Sequence, residues 1–167
     1  MEYPDLHRFP VGHSPSPYNS DPLMQTPEGG FIHISLPADL SLVGIGWIDG
    51  SKFTTGVVPD DRIEAIREIV RQNPISDGHL GVHSCAMCGK TSHGKISAHG
   101  HYLFRIDSDV IMFPRFIIHY IVSHSYCPPE RLFEAIYSGR QMTLDDFELT
   151  SVEEALREFN AEMETKR

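Results

Sequence analysis

"RFIIHYIVSH", residues 115–124, sets two histidines in an apolar run with four residues between them, and the fold turns on how that run ends. Pro114 precedes it, and proline suits the first turn of a helix because no amide hydrogen is needed there. The run therefore reads as a helix carrying His119 and His124. Positions five apart on an ideal helix point about 140° away from each other. For both rings to face one centre, the last turn must tighten or unwind. Pro128 and Pro129 just downstream supply a reason, since a residue before proline is pushed out of helical geometry.

A second stretch gives those histidines something to share. "GVHSCAMCGK", residues 81–90, holds Cys85 and Cys88, two of the chain's three cysteines. Two thiolates separated by two residues reach one ion about 2.3 Å away from a tight turn, and Gly89 suits such a turn. Zinc held by thiolates takes two further ligands, and His-x4-His falls within the usual three-to-five spacing. The expected ligand set is Cys85, Cys88, His119 and His124 around a structural Zn2+. His83 is the chief substitute, followed by His79, His93, His99 and His101. The bland alternative is that His119 or His124 fills the core with a satisfied ring. A redox role for the cysteine pair fits less well, because no thioredoxin-like strand and helix flank it and no basic neighbour lowers a thiol pKa.

Working outward, "GKISAHGHYLFRIDSDVIMFPR" (94–115) alternates apolar and polar positions, as in Tyr102, Phe104 and Ile106, with "DSD" as a turn between two strands. "FIHISL" (31–36) and "LVGIGWIDG" (42–50) read as strands, the latter reaching an Asp-Gly turn before "SKFTTG" and so predicting a hairpin. "PDDRIEAIREIVRQNP" (59–74) lines up Ile63, Ile66, Ile69 and Val70 as a helical stripe, with Asp61 and Glu64 as a capping box and Pro74 as the stop. "PPERLFEAIYSG" (128–139) predicts a helix opened by prolines and closed by glycine. A last helix is expected from Thr150 or Ser151, where a hydroxyl cap precedes Glu153 and Glu154.

The expected fold class is α+β: a small antiparallel sheet packed with three to four helices around an enlarged zinc-finger-like metal site. Residues 1–30 contain Pro4, Pro10, Pro15, Pro17, Pro22 and Pro27 and predict an extended or partly disordered N-terminal arm, on which Tyr3, Phe9 and Tyr18 provide docking groups. Residues 31–167 predict a single α+β domain ending in an acidic C-terminal helix.

At 167 residues, 40% hydrophobic and 22% charged, the chain has the composition of one globular domain. Its longest apolar stretch, 110–122, is broken by Pro114, Arg115 and His119 and is shorter than the roughly 20 residues a bilayer span needs. The first residues lack the apolar core of a secretory signal, so a cytoplasmic location away from membranes is expected. The net charge is -9, and residues 141–167 hold eight acids against Arg157, Lys166 and Arg167. That balance repels phosphate backbones and argues against a nucleic-acid partner. It suits either a solvated helix face or attraction to a basic protein surface. Cys127, before the two prolines, reads as a semi-buried thiol.

"GWIDG" (46–50), "GVHSCAMCG" (81–89) and "IIHYIVSHSYCPPERLFEAI" (117–136) together resemble a family of small, uncharacterised bacterial proteins. Those proteins carry a Gly-Trp-Leu-Asp-Gly-like segment, a His-x-Cys-x-x-Cys-Gly element and a His-Tyr-Ile-x-x-His-x-Tyr-x-Pro-Pro stretch. The resemblance spans about 45–137 and leaves the arm and the acidic tail outside. It implies that His83, Cys85, Cys88, His119 and His124 are recurring polar positions, and it implies no activity. Ile48 stands where leucine is commoner, and Cys127 is this chain's own.

Three function classes follow. A closed two-sulfur, two-nitrogen site leaves no position for water, which favours a non-catalytic protein-interaction module such as an adaptor or an immunity-type inhibitor. Its partner would be another protein, with Trp47 either an exposed hot spot or a core residue. A zinc-dependent hydrolase or transferase would need an open coordination position and a nearby carboxylate. His-Glu-x-x-His is absent, and Glu130 and Asp107 read more simply as a helix-start acid and a turn residue. A nucleic-acid finger would need a basic recognition helix, whereas residues 114–124 carry only Arg115.

Overall fold

The computed structural model describes residues 5–8, 23–25, 31–37, 39–48, 52–72, 83–85, 87–88, 97–98, 100–143, 146 and 148–151. Its centre is the hairpin of β7 (His101–Ile106) and β8 (Asp109–Pro114), turned by Asp107 and Ser108 with Asp107 at φ 57°. Asp is among the few residues that tolerate this left-handed turn position. The remaining strands of this sheet are β4 (Ser41–Gly44), β1 (His7–Arg8) and β9 (Arg140–Gln141), in the order β1-β4-β8-β7-β9. All pairs are antiparallel except β4 with β8, which run parallel from Ser41 opposite Asp109 to Gly44 opposite Met112. The sheet is therefore mixed.

Period-two alternation sends Val43, Tyr102, Phe104, Ile111 and Phe113 to one face and Leu42, Leu103, Val110 and Met112 to the other. Both sets are buried, so the central strands read as continuous apolar runs. Three helices among the described residues contribute to the first face: α1 (Asp60–Arg71), α2 (Ile117–His124) and α3 (Glu130–Ser138). They supply Ile66 and Ile69, then Ile117, Tyr120 and Ile121, then Leu132, Phe133 and Ala135. Each such fully buried large side chain contributes roughly 1.5–3 kcal/mol of transfer free energy. Leu40, Met142 and the half-buried Trp47 join the second face. Trp47 thus packs against core, and no described helix is long and apolar enough to cross a membrane.

Two small sheets complete the described backbone. β2 (Leu23–Gln25), β3 (Phe31–Ser35) and β10 (Glu148–Ser151) form one, in the order β10-β3-β2. β5 (His83–Ser84) and β6 (Ser97–Ala98) form the other, directly before Cys85.

Several local expectations are corrected. Pro114 ends β8 instead of opening α2. Arg115 N–H bonds to Gly100 O, so the adjoining His101–Pro114 pair is of the non-hydrogen-bonded kind and the proline's missing donor takes nothing from the β7 ladder. β4 stops at Gly44, and Gly46 at φ 78° turns the chain out of the strand. No hairpin forms with residues 52–56, where Thr55 instead makes an isolated bridge to Tyr126. The Asp-Gly turn itself lies outside the described residues.

The capping box is also absent. Pro59 is the N-cap, Asp61 sits inside the first turn, and Glu64 turns outward to Arg67 and Arg71 at 3.2 and 3.1 Å. Thr150 and Ser151 belong to β10, paired with His33 and Ile32, and do not cap a helix. The acidic helix expected beyond them, the Pro74 stop and most of the N-terminal arm lie outside the described residues, as do the arm's Tyr3, Phe9 and Tyr18.

Candidate metal centre

α2 is anchored through Ile117, Tyr120 and Ile121, an i, i+3, i+4 stripe buried against the sheet. Its last turn carries the decisive distortion. The Ser125 N–H bonds to Tyr120 O, five residues back where an α-helix would use four, and the Tyr126 N–H reaches the same carbonyl at 3.2 Å. This widened turn reduces the angular divergence between positions 119 and 124. Ser125 then closes the helix in the left-handed region at φ 54° and ψ 29°. The helix end therefore unwinds, and the residue that ends it is Ser125, ahead of the prolines; Pro129 serves as N-cap of α3.

Cys85 follows β5 and is buried, while Cys88 sits in the next turn, half-buried. The structure brings Cys85, Cys88, His119 and His124 together, one ligand atom from each within 4.8 Å of all the others. Cys88 Sγ lies 3.2 Å from His119 Nε2 and 3.3 Å from His124 Nε2. Cys85 Sγ lies 3.3 Å from His124 Nε2, and the two Nε2 atoms are 3.3 Å apart. Metal–sulfur and metal–nitrogen bonds of about 2.3 and 2.0–2.1 Å give a tetrahedron whose N···N and S···N edges are about 3.3–3.6 Å. The observed spacings come within a few tenths of an ångström of those edges, so this Cys2His2 group could hold a metal ion.

Protons alone serve the cluster poorly. Each neutral imidazole has one donor and one acceptor nitrogen, and here both Nε2 atoms face each other and the same thiol. A cation would be met by every lone pair at once. Burial, and then the neighbouring His124, hold the His119 imidazole below its ordinary pKa and so keep it neutral and ligand-competent. Burial also pushes the Cys88 thiol up, with a hydrogen bond to Cys85 adding to the shift. Ionisation of Cys88 is therefore disfavoured until a positive charge joins it. The Phe116 ring packs 4.6 Å from the His119 ring, and the two histidine rings meet edge to face at 5.0 Å.

Of the other candidates, His101 alone has a described side chain. His101 is buried at the start of β7 with its ring 6.4 Å from Trp47 and is not in the group. His79, His93 and His99 lie outside the described residues, and of His83 only the backbone, in β5, is described. No carboxylate belongs to the group among the described residues. Glu130 is held by Arg62 through two bonds of 2.6 Å, and Asp107 occupies the β7–β8 turn. Cys127 is half-buried beside Gly56 and also stands apart from the group.

Sequence reasoning missed Asp5. Its Oδ1 accepts the Tyr126 hydroxyl at 2.7 Å and the Gly46 N–H at 2.9 Å, tying the N-terminal residues to the segment just after His124. The available signals were Gly46 and Tyr126, each within a motif that carried the resemblance. Leu6 N–H then bonds to Gly44 O, and Arg8 grips Asp109 at 2.8 and 3.2 Å.

A family model described as Domain of unknown function (DUF7919) matches residues 1–137. The chain belongs to the DUF7919 family. No curated protein and no solved structure matches it. The DUF7919 region includes all four donors and also Asp5, so it reaches further towards the N-terminus than the 45–137 resemblance. It ends at Tyr137, near the end of α3, leaving β9 and β10 beyond it.

Proposed function

We propose that this DUF7919 protein binds one zinc ion through Cys85, Cys88, His119 and His124, and that it acts as a non-catalytic protein-interaction module. The observation that carries this reading is the closure of the site. Four donors within 4.8 Å of one another would complete a tetrahedral coordination and would leave no position for an activated water. Two sulfurs and two imidazole nitrogens in that arrangement favour zinc over harder cations, which take oxygen ligands. Among the described residues no carboxylate joins the four donors.

The zinc would join two elements far apart in sequence, the cysteine turn and the end of α2. Its contribution would be folding free energy, freeing the surface to recognise another protein as an adaptor or an immunity-type inhibitor does. The test is elemental analysis of the purified protein together with unfolding in the presence of a chelator. About one zinc per chain and a large loss of thermal stability on chelation are expected. A chain that carries no metal and melts identically with and without chelator would overturn the zinc reading. Turnover that requires the metal, in a chain still folded without it, would overturn the non-catalytic one.

A further inference from the structure

His119 has a polar neighbour outside the four-donor group. Its Nε2 is the nitrogen that faces Cys88 and His124, while its Nδ1 lies 3.3 Å from Ser123 Oγ, one turn along α2. The two ring nitrogens are thus divided between two environments. A lone pair on Nε2 directed at a cation requires the ring proton to reside on Nδ1. Nδ1–H then needs an acceptor, and the Ser123 hydroxyl oxygen is placed to be one.

We infer that Ser123 is a positioning residue, accepting the Nδ1–H of His119 and thereby fixing the tautomer and ring rotation that present Nε2 to the metal. This rests on the zinc reading above. Ser123 is exposed and contributes nothing to the core. A serine at an exposed helical position is otherwise a mild liability, because alanine is the better helix former. Helix propensity and metal positioning therefore predict opposite outcomes for one substitution. Phe116 packs against the same ring with the two planes tilted by 48°, but an apolar neighbour cannot select a tautomer.

The experiment measures zinc affinity of the full chain by competition with a chromophoric chelator, in wild type, Ser123→Ala, Ser123→Thr and Val122→Ala. Outer hydrogen-bond partners of metal-bound histidines are commonly worth tenfold or more in affinity. Ser123→Ala is expected to bind zinc about tenfold more weakly. Ser123→Thr, which keeps the hydroxyl, should stay close to wild type, as should Val122→Ala at the neighbouring exposed position. Long-range proton–nitrogen spectra of the zinc-loaded wild type should show His119 protonated at Nδ1. Ser123→Ala binding zinc as tightly as wild type, or His119 ligating through Nδ1, overturns the role of Ser123 alone. Failure of the wild type to bind zinc overturns the zinc reading as well.

Discussion

Asp5 accepts a 2.7 Å hydrogen bond from the Tyr126 hydroxyl across 121 positions of the chain. The same oxygen accepts the Gly46 N–H, so one carboxylate joins the N-terminal residues, the turn after β4 and the exit from α2. Tyr126 is fully buried, so its hydroxyl is costly to leave without an acceptor. Asp5→Ala should therefore cost roughly 2–4 kcal/mol, since hydrogen bonds to a charged group are worth about 1.5–3 kcal/mol and the orphaned donors add to the loss. Tyr126→Phe should cost less, because it removes donor and need together. In a double-mutant cycle read by urea denaturation, the two should couple by about 1 kcal/mol or more. Strict additivity would show that the contact contributes nothing to stability.

Gly46 is a second joint between the same regions. Its φ of 78° is strained for any residue with a Cβ, and a Cβ there would lie 2.9 Å from Ile117 Cδ1 and 3.1 Å from Ile117 Cγ1. Gly46→Ala combines about 1–2 kcal/mol of backbone strain with about 1–3 kcal/mol of overpacking against the first residue of α2. Ile117→Val removes Cδ1 itself. Adding it to Gly46→Ala should recover the overpacking due to Cδ1 but neither the 3.1 Å contact with Cγ1 nor the strain, so the double variant should be more stable than Gly46→Ala alone. If the double variant is less stable still, the clash with Ile117 is not the cause.

What the sequence made legible follows from the range of each interaction. α1 and α3 were readable because the Ile63, Ile66, Ile69 stripe and the Pro129 and Gly139 boundaries act within a few residues. The β7–β8 hairpin was readable for the same reason. The gathering of Cys85, Cys88, His119 and His124 could be anticipated because donor chemistry marks residue types even when they are distant in sequence. The parallel pairing of β4 with β8 had no local marker, nor did Asp5, whose partners lie 41 and 121 residues away. Thr150 shows the opposite failure. Its hydroxyl is a good helix cap in isolation, yet pairing with His33 draws the segment into β10. At Glu64, arginines on the helix surface won the side chain from the cap.

Tyr102 gives a pH-dependent test. Its hydroxyl lies 3.0 Å from both Val70 O and Gln72 O and shares its one proton between these two carbonyls at the end of α1. Burial raises its pKa above the ordinary tyrosine value, with the charge of Arg115 opposing that shift. The folded state thus holds this proton more tightly than the unfolded chain does. The stabilisation is fully present below the unfolded tyrosine pKa of about 10 and is lost as pH rises from there towards the folded value. Tyr102→Phe should cost about 1 kcal/mol at neutral pH and should flatten the decline in stability above about pH 10. Identical alkaline profiles for the two proteins would exclude Tyr102 as a source of that decline.

Cys88 and Cys127 offer the sharpest contrast among the thiols. Cys88 Sγ touches both histidines, at 3.2 and 3.3 Å, whereas Cys127 stands beside Gly56 and outside the group. A ligand that binds only the folded state stabilises it by mass action, by about 4 kcal/mol when free zinc exceeds its dissociation constant a thousandfold. The melting temperature of the wild type and of Cys127→Ser should therefore climb as zinc is added. That of Cys88→Ser should stay level, because a serine hydroxyl is a poor substitute for a thiolate in completing the set. Cys88→Ser in zinc should also match the chelated wild type more closely than the loaded one, as a structural clip requires. A zinc-dependent rise in Cys88→Ser equal to that of wild type would mean that the ion is held without this sulfur, and the four-donor site would have to be redrawn.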